Sequence, residues 1–114
     1  MHEGQFTERI VNAIIEELKK FPGKRPKAVR VKVGEVFHLV PESVHLHFDV
    51  FTKGTALEGV SLDLEEERME IFCNRCRQTN LAEDHHLLAC PKCYSLDVKP
   101  VSGDRITVES IELN

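Results

Sequence analysis

Residues 73–93 read CNRCRQTNLAEDHHLLACPKC. Cys73 and Cys76 make one Cys-x-x-Cys pair and Cys90 and Cys93 a second, with thirteen residues between the pairs. A turn of this kind lets two sulfurs reach one ion while backbone N–H groups point at them. Two such turns facing each other complete a tetrahedron of thiolates, the set that suits Zn²⁺ at about 2.3 Å per bond. Four thiolates fill the coordination sphere, so the ion is structural rather than catalytic. A redox dithiol or an iron–sulfur site is the other chemistry these residues allow. Leu81, Leu87 and Leu88 are nearly all the apolar content of the stretch. Metal binding therefore has to supply most of its folding free energy, on the order of 10 kcal/mol. His85 and His86 lie between the pairs and read as solvated loop residues, although either imidazole is chemically able to replace a thiolate.

Outward from this stretch the pattern changes to that of an ordinary apolar core. Phe6, Ile10, Ile14 and Leu18 recur every four residues, with Ala13 and Phe21 widening the stripe, which predicts an amphipathic helix over about residues 4–20. FPGKRP ends it. Val29, Val31 and Val33 alternate with Arg30 and Lys32 as a half-buried strand closed by Gly34. The segment from Pro41 to Gly54 fits both periods, but Pro41-Glu42 at its start and its length favour a helix. His45 and His47 then point about 200° apart and read as separate surface histidines. Val60, Leu62 and Leu64 alternate as a strand, and Met69 and Ile71 lead into Cys73. After the cysteines, Ile106, Val108, Ile111 and Leu113 form a last strand, with a parity change near Ser110 that suggests a bulge or frayed end.

The order is helix, strand, helix, strand, cysteine module, strand. This is an α+β architecture: two helices packed on a small mixed β-sheet, with a zinc-ribbon-like module inserted between two strands able to pair in the main sheet. Residues 1–70 and 100–114 form one domain and 71–99 the other.

The chain has 114 residues and a net charge of −4, a poor balance for gripping phosphates, and its lone tyrosine and absent tryptophan leave few stacking platforms. Nucleic acid is not an expected partner. Lys19, Lys20, Lys24, Arg25, Lys27, Arg30 and Lys32 form a basic stretch, and Glu58, Asp63, Glu65, Glu66, Glu67 and Glu70 an acidic one. These read as solvated faces, or as a docking surface for a protein partner. No apolar run is long enough to span a membrane and no signal peptide is visible, so the expected location is the cytoplasm, where cysteines bind metal more often than they form disulfides.

The chain opens Met1-His2-Glu3. Methionine removal needs a small second residue, so Met1 is expected to keep a free α-amine. That amine, the His2 amide nitrogen and His2 Nδ1 form fused five- and six-membered chelate rings, and a further backbone nitrogen such as that of Glu3 closes a plane of four. Such a plane suits Ni(II) or Cu(II) and suits Zn²⁺ poorly. The Glu3 carboxylate is placed for an axial or outer role.

With MHE at the start, VPESV opening the second helix, KGTALEG before an acidic strand, CPKC, and VSG…ITVESIEL at the end, the whole chain resembles the HypA/HybF family of hydrogenase nickel-incorporation proteins. The resemblance implies a metallochaperone without catalysis of its own. Nickel would bind at Met1, His2 and Glu3, with His2 indispensable, and structural zinc at Cys73, Cys76, Cys90 and Cys93. The implied partners are a HypB-type GTPase and the [NiFe]-hydrogenase large-subunit precursor, with urease maturation proteins for some members; the protein would be a monomer or homodimer. His38, His85 and His86 are assigned to neither metal. Two departures stand out: Arg77 and Tyr94 follow the cysteine pairs where such turns often carry glycine, and SGDRI stands where the family often shows Gly-Arg-Glu-Leu. The rival reading is a zinc-ribbon adaptor for nucleic acid or a protein, without nickel. A hydrolytic metalloenzyme needs an open zinc position, which four thiolates do not leave.

Overall fold

The computed structural model describes residues 3–84 and 86–114, and of Glu3 only the backbone. Its elements are α1 (Glu3–Leu18), β1 (Pro26–Gly34), a one-turn 3₁₀ helix (Glu35–Phe37), α2 (Pro41–Thr52), β2 (Ser61–Glu67), β3 (Glu70–Cys73), β4 (Thr79–Leu81), β5 (Val98–Ser102) and β6 (Ile106–Leu113). The fold is α+β, and the described chain divides into two compact units. The first takes Met1–Lys32, Leu39–Glu65 and Ile106–Asn114; the second takes Val33–His38 and Glu66–Arg105.

In the first unit the predicted stripe on α1 is real: Phe6, Ile10 and Ile14 are buried. Phe21 lies beyond the helix and is exposed. Helix α2 starts with Pro41 at its first turn, where a missing N–H costs nothing. Val44, Phe48 and Thr52 are buried one turn apart, while Leu46 and Val50 are exposed. The alternation of apolar letters in this segment is therefore incidental, and the 3.6-residue period decides. Thr52 is tolerated inside because its hydroxyl donates to the Phe48 carbonyl at 2.7 Å.

The first sheet has the order β2-β1-β6. At its two ends the Gly34 N–H donates to Arg105 O at 2.9 Å and the Asn114 N–H to Arg25 O at 3.0 Å, so β1 and β6 run antiparallel. The sequence places the cysteine module between two strands able to pair in the main sheet. Both strands are in this sheet, each pairing with β1, which lies between them. Strand β1 carries three of the basic residues. Arg30 meets Asp63 at 2.8 Å, Lys32 meets Glu109 at 3.6 Å and Lys27 meets Glu112 at 3.8 Å. Much of the basic stretch is thus paired within its own sheet.

The second unit has its own antiparallel sheet, β4-β3-β5. The sequence pattern did not reveal it, because β4 has three residues and β5 contains Pro100, so neither alternates clearly. Ile71 pairs with Pro100 and Glu70 with Ser102, leaving Val101 as the bulged residue. Val33, Met69 and Ile71 are buried with Cys73 and Cys90. The end of β1 joins this unit at a close backbone crossing: a methyl group on Gly34 would collide with the Gly103 carbonyl. Gly103 takes φ 76, and a side chain there would strike the Met69 backbone. The glycine of SGDRI is therefore required by both conformation and space. Two carboxylates serve as backbone caps nearby, Glu35 accepting from the Met69 N–H at 2.7 Å and Glu67 from the Gly103 N–H at 2.9 Å.

Candidate metal centre

The sulfur ligands of Cys73, Cys76, Cys90 and Cys93 all lie within 4.8 Å of one another. Two pairs across the cluster are closer, Cys73–Cys93 at 3.6 Å and Cys76–Cys90 at 3.7 Å. Four sulfurs around one zinc have edges of about 3.8 Å. A disulfide needs sulfurs about 2.05 Å apart. The cluster has the dimensions of a tetrathiolate cage and not of crossed disulfides.

Local backbone chemistry builds the cage twice over. In the first turn the Cys73 N–H donates to Gln78 O and the Arg77 N–H to Cys73 O, both at 2.9 Å. In the second, the Cys90 N–H donates to Ser95 O and the Tyr94 N–H to Cys90 O, also at 2.9 Å. Both turns close through a left-handed residue at φ 62, Arg77 in one and Tyr94 in the other. The turns keep their shape without the glycine that fits this conformation best, at a cost of about 1 kcal/mol each.

Within this geometry the thiols differ in acidity. The backbone N–H of Cys93 is the main influence pulling Cys90 down to about 6. The Cys76 N–H, 3.4 Å from the Cys73 sulfur, lowers Cys73 in the same way. Burial pushes Cys76 up to about 12, with the Cys90 thiol adding to it. The Ser95 N–H pulls Cys93 down, but burial and the thiols of Cys73 and Cys90 leave it raised. Each turn thus pairs one ready thiolate with one reluctant thiol. A dication at the centre supplies the charge that releases the remaining protons, so the donor set fits structural Zn²⁺ in both number and chemistry.

The histidines separate into distinct settings. The rings of His38 and His86 stand 5.6 Å apart and nearly parallel, at 22°, so the second unit brings together two residues the sequence left unassigned. His38 reaches this position from a left-handed backbone at φ 52. His45 is exposed and His47 half-buried on different sides of α2, consistent with their spacing. Sequence reasoning treated His47 as a surface residue, yet its ring packs beside Gly4 at the start of α1. The only signal for that contact was the absence of a side chain at Gly4. Met1, His2 and His85 lie outside the described residues, as does the side chain of Glu3.

One unit closed over apolar side chains, and another closed around four sulfurs with no open position, define a small α+β metal-binding protein whose resident ion is structural. Known proteins narrow this further. The family described as "HypA: Hydrogenase/urease nickel incorporation, metallochaperone, hypA" matches residues 1–113. The chain is 30% identical over 114 residues to the hydrogenase maturation factor HypA of Salmonella typhimurium, covering 100% of this chain and 97% of that one. It is 32% identical over 113 residues to the Methylocella silvestris factor of the same name, covering 99% of each. The solution structure of the nickel metallochaperone HypA from Helicobacter pylori shares the fold, with a TM-score of 0.73 at 23% identity over 99% of this chain and 97% of that one. The chain belongs to the HypA family, and its function is that of a nickel metallochaperone in hydrogenase maturation.

Proposed function

We propose that the nickel cargo binds at the amino terminus through the Met1 α-amine, the His2 amide nitrogen and the His2 imidazole, with Glu3 alongside. Cys73, Cys76, Cys90 and Cys93 hold zinc for shape alone. The observation that carries this is the start of α1 at Glu3, with Phe6 and Ile10 buried close behind. The first amides of a helix have no acceptor within it, so a metal can take an amide nitrogen there without breaking a helical hydrogen bond. Burial of Phe6 and Ile10 fixes the helix that begins at Glu3.

Residues 1–70 and 100–114 act as the nickel domain and 71–99 as the zinc domain. The protein does no chemistry on its cargo. It carries no phosphate-binding loop of the GxxxxGK[ST] kind, so nucleotide energy has to come from a HypB-type GTPase. The receiver is the [NiFe]-hydrogenase large-subunit precursor, with urease maturation as the second outlet. These partners place it in the cytoplasm, and among the described residues no helix is long and apolar enough to cross a membrane. The test is metal analysis of His2→Ala. Stoichiometric nickel should vanish while zinc stays at one per chain; retention of nickel by the variant would remove the terminal site.

A further inference from the structure

We infer that the outer face of the second unit's sheet, built on Phe72 with Arg77 and Lys99 held over its ring, docks an acidic segment of a protein partner. The inference does not depend on where nickel binds.

The alternation of β3 sets up this face. Ile71 and Cys73 are buried, so Phe72 between them turns outward, where it is only half-buried. The register places Thr79 of β4 on one side of it and Lys99 of β5 on the other. The Lys99 ammonium lies 5.7 Å from the ring centre and the Arg77 guanidinium 5.8 Å. Arg77 comes from the first cysteine turn, at a left-handed position that glycine takes without strain. A guanidinium over Phe72 gives that departure from glycine a use. Leu81, opposite Glu70, extends the face, and the bulged Val101 borders it; each is 44% exposed.

Both cations keep donors to spare. An aromatic face attracts a cation through its quadrupole and leaves N–H groups for a carboxylate. Among the described residues, neither Arg77 nor Lys99 has a carboxylate within ion-pair distance. The ring also limits where these two long side chains can go, which lowers the entropy lost when they close on an anion. Glu70 stands two residues along β3 on the same face. It repels carboxylates, so a partner's acidic residue is directed to the Arg77–Lys99 end and an apolar one toward Leu81 and Val101. The edges of the sheet favour a segment lying across the face over one that adds a strand: β4 has three residues, and β5 carries Pro100 and the bulge. Nucleic acid fits less well, because following a phosphate backbone takes a row of cations, and here two stand in a chain of net charge −4.

The test uses the full-length, zinc-loaded protein labelled with ¹⁵N and ¹³C, and a synthetic pentapeptide alternating glutamate and leucine. Titration should shift the Phe72 ring, the Lys99 side chain and the Leu81 methyl groups, and binding should weaken as salt is added. Lys99→Glu should lower peptide affinity about tenfold. Arg77→Gly, which relieves the left-handed strain, should lower it about fivefold. Zinc should stay at one per chain in both variants, with amide dispersion unchanged. A matching lysine–leucine peptide should leave the face unmoved. No movement of Phe72 with the glutamate peptide, an equal response to the lysine peptide, or unchanged affinity in both variants would overturn the inference. So would tighter binding of a single-stranded thymidine oligonucleotide that Lys99→Glu abolishes.

Discussion

The first unit buries Phe6, Ile10, Ile14, Val44 and Phe48 from its two helices and Val29 and Val31 from its sheet. The second buries Val33, Met69 and Ile71, and its remaining deeply buried side chains include two of its own metal ligands, Cys73 and Cys90. The leucines that might have formed a core around the cysteines do not: Leu87 is 67% exposed and Leu96 71%. One unit is thus held by area removed from water and the other by bonds to an ion. The ion belongs to the second unit's fold.

The comparison breaks most readily by removing zinc. A strong chelator should melt residues 73–93 and leave the helices formed, since metal binding contributes on the order of 10 kcal/mol to such a module. Circular dichroism should keep its helical bands while amide resonances of residues 73–93 collapse; loss of both together would contradict two separately held units. The converse experiment is Phe48→Ala. Opening a cavity at this fully buried site should cost about 3–5 kcal/mol and lower the helical melting temperature, with zinc still bound. Simultaneous loss of zinc would show that the units share one core.

Acidity sharpens the comparison. Cys90 is held down to about 6 by the Cys93 N–H, from an ordinary value of 9.0, so the stability tied to its thiolate is fully present above about pH 9 and is lost as pH falls from there through about 6. Cys76, pushed up to about 12 by burial, must give up a proton whenever zinc enters at pH 7. Calorimetry in buffers of different ionisation enthalpy should record proton release on zinc binding and weaker binding toward pH 6. A pH-independent affinity would mean that the thiols do not differ in this way.

Smaller effects follow from the two turns. Arg77→Gly and Tyr94→Gly should each stabilise the zinc-loaded second unit by about 1 kcal/mol, because glycine takes φ 62 without strain. Tyr94 is 79% exposed, so little packing is lost with its ring. Thermal unfolding followed by zinc release would reveal a raised midpoint, and a lowered one would mean that the side chains contribute more than the strain costs. Smallest of all, Arg30→Ala removes an exposed pair with Asp63 and should change the first unit by less than about 1 kcal/mol in urea. A larger loss would mark that sheet face as more than a solvated surface.

The four-cysteine cluster was legible in the sequence, because a metal site is written in residue type and spacing. Helix α1 was legible for a similar reason, since Ile10 and Ile14 repeat at its period. The sheet of the second unit was not. Thr79–Leu81 and Val98–Ser102 are strands because they flank β3 beside the cysteine turns, a tertiary cause that leaves little local pattern. The parity change at the end of the chain marked a real feature: Glu109 and Ser110 are both exposed within one continuous strand. Nor does spacing reveal that His38 faces His86 or that His47 meets Gly4, because those contacts join segments far apart in the chain.

The terminal site is tested most directly by titrating nickel calorimetrically into zinc-loaded protein with Met1 free and into the same protein carrying extra residues ahead of Met1. The extension leaves every side chain in place and consumes only the α-amine. Stoichiometric binding to the free form and its loss in the extended form are expected. Equal affinity in both would show that the ion sits elsewhere.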